Sequence, residues 1–112
     1  MGRTGSRPRR GARAWRIVVT PAFARDAEEQ VRWLLEHDHE DWAQGLKQAL
    51  RTARTLLQST PRLAKPEANG LRRLLLGRLP LFLWYGLDER ARTVIWLRLF
   101  HVRQRQARGP VD

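Results

Sequence analysis

The spacing of apolar and polar positions changes twice along the chain. Residues 15–20, WRIVVT, are rich in β-branched side chains, with apolar positions alternating around Arg16 and Val18. That two-residue period predicts a strand. Thr20 and Pro21 follow, a helix cap and a favoured first helical residue. Apolar residues then recur at Phe23, Ala27, Val31, Leu34 and Leu35, one stripe of a helix. A second helical period covers residues 41–59, with Trp42, Leu46, Ala49, Leu50, Ala53, Leu56 and Leu57 on its apolar side. Lys47, Arg51 and Arg54 form a basic ridge elsewhere on it, and Thr60-Pro61 ends it.

From Gly70 onward the short period returns, and three strands are predicted at residues 71–76, 79–87 and 93–100. Gly77-Arg78 and residues 88–91 suit hairpin connections of about two to five residues. In the last strand, alternation puts Ile95, Leu97 and Leu99 on the core face. Val94, Trp96, Arg98 and Phe100 then share the other, which Arg98 marks as partly open.

The order β-α-α-β-β-β predicts an α+β domain, a small, mostly antiparallel sheet packed against an α-helical hairpin. The first strand reaches the sheet only through both helices, which permits a parallel neighbour. The domain is expected over residues 15–105. Residues 1–14 are expected to be a disordered basic tail, having nothing to bury, and residues 106–112 a short C-terminal tail.

Charge changes this picture more than composition does. The chain of 112 residues carries 22 basic and 11 acidic side chains, a net +11. Residues 1–14 hold five arginines and no acid. Residues 15–41 hold three basic and seven acidic side chains, and residues 42–112 fourteen and four. A basic half of this size favours an anionic partner, either nucleic acid or an acidic protein segment. There is no cysteine, which removes disulfides, thiolate catalysis and most zinc sites. No apolar run approaches the roughly 20 residues of a membrane span. The early arginines are followed by no apolar stretch before Trp15, so no secretory signal is expected and the cytoplasm is the expected compartment.

His37-Asp38-His39-Glu40-Asp41 has the residue types of a metal site. It lies on a polar turn between helices, with no further ligand at helical spacing to close a shell. The expectation is a solvated turn with capping carboxylates, and neither a metal nor a cofactor.

With the element order in hand, the chain resembles the ParE branch of the RelE/ParE superfamily of bacterial toxins, over about residues 15–105. The resemblance rests on IVVTPAFARDAEEQVRWL at residues 17–34 and on L-L-x-S-T-P from Leu56 to Pro61. It continues with L-R-x-L-x-L-G from Leu71 to Gly77, F-L-W-Y from Phe82 to Tyr85, and the closing I-W-L-R-L-F-H-V-R. It implies the toxic half of a type II toxin–antitoxin pair, neutralised in a hetero-oligomer by a cognate antitoxin whose acidic, apolar C-terminal segment lies across it. It also implies one of two activities. ParE-like members bind DNA gyrase and poison it. RelE-like members cleave mRNA on the ribosome. A degenerate, non-toxic antitoxin-binding domain is a third reading.

RNA cleavage needs a base for the 2′-hydroxyl, cations at the phosphate and an acid for the leaving oxygen. The last residues contain no tyrosine, and Tyr85 sits among core residues. If the chain is an endonuclease, the catalytic candidates are His101, Arg103 and Arg78. Arg72, Arg73, Arg78, Arg98, Arg103 and Arg105 are candidates for binding a target or an antitoxin, the arginines through bidentate pairs. Trp96, read as sharing an open face with Arg98, is the candidate aromatic anchor. The absence of a clear acid–base set favours the gyrase-binding reading.

Overall fold

The computed structural model describes residues 14–104. The expectations for residues 1–13, for Arg105 and for the tail at 106–112 lie outside the described residues. The elements are β1 (Arg16–Val19), α1 (Pro21–Glu36), α2 (Glu40–Ser59), β2 (Arg72–Leu75), β3 (Leu81–Asp88) and β4 (Thr93–His101). The four strands form one sheet in the order β1-β4-β3-β2. Strand β1 runs parallel to β4, and the β4–β3 and β3–β2 pairs are antiparallel. The sheet is therefore mixed, and the long route through both helices ends on the parallel neighbour that the element order permits.

Local chemistry explains the helix ends. Thr20 Oγ1 accepts the Phe23 amide at 3.2 Å, and its hydroxyl donates to the Trp96 carbonyl at 2.9 Å. One side chain thus caps α1 and pins its start to β4. Between the helices Asp38 adopts φ 60°, which reverses the chain. The expected carboxylate cap is not what begins α2: His39 is the cap residue and makes no side-chain capping bond. Glu40 and Asp41 instead occupy the first turn, where the helix dipole favours negative charge.

The main core lies between the helical hairpin and one sheet face. Phe23, Leu34, Leu46 and Leu57 from the helices meet Leu83, Tyr85, Val94 and Leu99 from the strands. The apolar stripes of the helices are wider than the sheet they cover. Leu35, Trp42 and Leu56 are exposed, although periodicity put them with the core, and Ala43 is buried in their place.

The last strand departs from strict alternation. The β3–β4 register runs Trp84 to Arg98 and then Tyr85 to Trp96, leaving Leu97 as an extra residue in a bulge. One inserted residue slips the two-residue period by one. Before the bulge, the face assignment from sequence is inverted. Val94 and Trp96 are buried with the core, whereas Ile95 and Leu97 are only partly buried. After it the assignment holds, with Leu99 in the core and Arg98 and Phe100 opposite.

Candidate functional site

The sheet face away from the helices brings arginine and aromatic side chains together. Register places Arg73, Trp84 and Arg98 side by side across three strands, with Leu75, Phe82 and Phe100 in the next row. Trp84 and Phe100 are almost wholly buried although neither described helix covers this face. Arginines stack on both rings. The Arg73 guanidinium lies 4.6 Å from the Phe82 ring centre and 5.5 Å from that of Trp84. The Arg98 guanidinium lies 4.6 Å from the Phe100 ring centre. Such stacking lets a guanidinium shield an apolar ring and keep its charge outward.

Arg98 is held from the side. Its Nε donates to Asp26 of α1 at 2.7 Å and a terminal nitrogen donates at 3.1 Å, a bidentate pair. Asp26 also accepts the Leu99 amide at 2.9 Å. Strand β1 ends at Val19, so the outer edge of β4 lacks a strand partner beyond that point. Asp26 reaches across to satisfy it. The Asp26 hydrogen bond holds the Arg98 guanidinium above its usual pKa.

The other predicted residues scatter. Arg72 follows the pleat to the helix side, where it donates to the Ala64 carbonyl at 2.6 Å and fixes the loop before β2. Arg73 also pairs with Glu67 at 3.5 Å. Arg78 is exposed in the β2–β3 turn, beside a hollow of about 410 Å³ lined by Ala49, Leu56 and Leu75. Gly77, at φ 58°, makes that turn possible. Trp96 is not on an open face. It is 3% exposed and packs on Phe23 with ring centres 5.1 Å apart. The bulge re-phases the strand between Trp96 and Arg98, so Trp96 is no surface anchor. Its buried indole N–H meets no acceptor among the described residues.

His101 closes β4, half-buried. Its Nδ1 accepts the Arg103 amide at 3.1 Å, which assigns its ring proton to Nε2. Its own amide donates to the Gln104 side chain. Arg103 is exposed beyond it. Tyr85 is wholly buried, with its oxygen accepting the Ala64 amide at 3.2 Å. Burial pushes its pKa up, against that hydrogen bond and the Arg72 charge. It is inaccessible to any substrate. Arg103 adjoins His101, whereas Arg78 lines a different hollow, so the three catalytic candidates are not all brought together.

His101 borders a larger apolar hollow of about 590 Å³, walled by Trp33, Leu34, Trp42, Pro80 and Leu81. Trp33 is 52% exposed and Trp42 48%. His37 stacks on Trp33 at 4.1 Å, and its Nδ1 lies 2.8 Å from the Trp33 carbonyl. Among the described residues no three metal-ligating side chains gather, and no helix is long and apolar enough to cross a membrane.

Sequence reasoning missed Asp26, Phe82, Trp84 and Phe100 as parts of the arginine–aromatic face. A usable signal lay in the three strands: arginine and aromatic residues recur at alternate positions, which stacks them in rows once the strands pair.

No protein-family model matches the sequence, and no curated protein does. Among solved structures, the fold matches a chain of the chromosomal ParDE TA system from P. aeruginosa with a TM-score of 0.65 and 18% identity. The match covers 80% of this chain and 97% of that one. The fold implied by the sequence resemblance is the fold observed, and the chain is an α+β domain with the ParE-like architecture.

Proposed function

We propose that the protein is the toxin of a type II toxin–antitoxin pair, and that it acts in the cytoplasm by binding DNA gyrase rather than by cleaving mRNA. The carrying observation is the sheet face opposite α1 and α2, where Arg73 and Arg98 lie over Phe82, Trp84 and Phe100. This surface suits a segment that is both acidic and apolar. Carboxylates meet the Arg73 guanidinium, and aliphatic groups meet Leu75 and the partly exposed Phe82 ring. The antitoxin of the ParE-like reading has that chemistry. The fold likeness to the ParDE chain supports the same reading.

The choice of gyrase over the ribosome rests on chemistry. Proton transfer by a positioned acid or base contributes about 10²–10⁴-fold to such a cleavage. Tyr85 is buried, and Nδ1 of His101 already accepts a backbone hydrogen bond. Poisoning by binding needs only a complementary surface. The test is induced expression of the protein alone, following growth and plasmid supercoiling together. Growth arrest with loss of negative supercoiling is expected. Arrest with supercoiling intact and mRNA cut at ribosomes would reject gyrase, and full growth would leave the degenerate domain.

A further inference from the structure

The arginine–aromatic face leaves one part of the molecule unused. The tip of the helical hairpin carries Glu28, Glu29, Glu36, Asp38, Glu40 and Asp41 against a single arginine, Arg32. Six of the chain's eleven acids therefore sit in fourteen consecutive residues of a protein whose net charge is +11. All six are exposed. Glu29 lines the hollow of about 590 Å³ together with Trp33, Trp42 and Leu81, and the other five lie on the same helical hairpin that walls it. Two half-exposed tryptophans line this hollow, and tryptophan is among the residue types enriched at binding hot spots. His101 lines the sheet end of the same hollow.

We infer that this hollow is a second docking site and that its occupant is a basic, apolar protein segment. Lysine or arginine on the segment would face Glu29 and the acidic helix segments around it, while its aliphatic side chains pack in the hollow beside Trp33 and Trp42. At physiological ionic strength charges are screened within about 8 Å, so the local acids outweigh the distant arginines. The charge contrast separates two partners. An acidic segment belongs on the sheet face and a basic one at the hairpin tip, so the protein can hold both at once. The inference stands apart from the identity of the toxin's target.

The test uses the full chain and two labelled amphipathic peptides of about 14 residues, roughly four helical turns, one of leucine and lysine and one of leucine and glutamate. Binding is read by fluorescence anisotropy in about 0.15 M salt. The lysine peptide is expected to bind at least about tenfold more tightly than the glutamate peptide. Trp33→Ala and Trp42→Ala should each weaken it about tenfold, as for hot-spot residues. Both side chains are half exposed, and the thermal midpoint of each variant checks that it folds. Glu29→Lys combined with Glu36→Lys should abolish the preference, whereas Arg73→Glu on the other face should leave it in place. The proposal is overturned if neither peptide binds, or if the glutamate peptide binds as well as the lysine peptide. Binding indifferent to both tryptophans overturns it too. So does self-association of the protein that either tryptophan variant abolishes, which would make a second copy the occupant.

Discussion

Asp26 shows how much one side chain can carry. It is buried on α1 and accepts from two nitrogens of Arg98 and from the Leu99 amide. Asp26→Ala leaves a buried amide without an acceptor and frees a guanidinium that is 37% exposed. A loss of about 2–3 kcal/mol is expected in urea unfolding, at the lower end for a broken ion pair because Arg98 is partly solvated. The same geometry makes Arg98 a poor site for probing a partner by charge reversal, since a second carboxylate would face Asp26. Tyr85 offers a pH test. Tyr85→Phe leaves the Ala64 amide without its acceptor and is expected to cost about 1 kcal/mol at neutral pH. Burial raises the folded-state pKa of Tyr85 above its unfolded value of 10.0. Its contribution is complete below the unfolded value and falls away as pH rises through the folded one. The deficit of the Phe variant should therefore shrink in unfolding curves taken above pH 10, and a constant deficit would refute the assignment.

At the scale of elements, the order of strands and helices was legible because each apolar period was long enough to identify its type. The bulge at Leu97 was not legible. A strand of nine residues shows the same alternation whether or not its partner skips one, since the skip is set by pairing with β3. That single residue accounts for the misplacement of Trp96. The exposed tryptophans at the hairpin tip had a similar cause: a helical stripe reports apolar residues, and the width of the sheet decides which of them it covers. Leu99→Ala, truncating a residue 1% exposed, is expected to cost about 2–5 kcal/mol. Leu97→Ala, on the helix-free side of the bulge, should cost about 1 kcal/mol, the transfer cost of a half-buried side chain. Denaturant midpoints of the two variants compare them directly, and equal losses would mean the bulge is misplaced.

For the whole molecule, charge is divided between two regions, arginines on the sheet face and acids on the helical hairpin. Arg73 stands over Phe82 and Trp84 and pairs with Glu67. Reversing its charge should slow the association of an acidic, apolar segment and flatten the salt dependence of its rate. Stopped-flow association at low and high salt measures this, and unchanged kinetics at low salt would remove the sheet face from the account.

The proposal that this ParE-like domain inhibits by binding has a direct assay. It is tested most directly by adding the purified protein, and its His101→Ala variant, to DNA gyrase in a supercoiling reaction and to translating ribosomes with mRNA. The account predicts that both proteins fold, that both inhibit supercoiling, and that neither produces mRNA cuts. Cuts made by the parent and lost in His101→Ala, with supercoiling untouched by either protein, would contradict it.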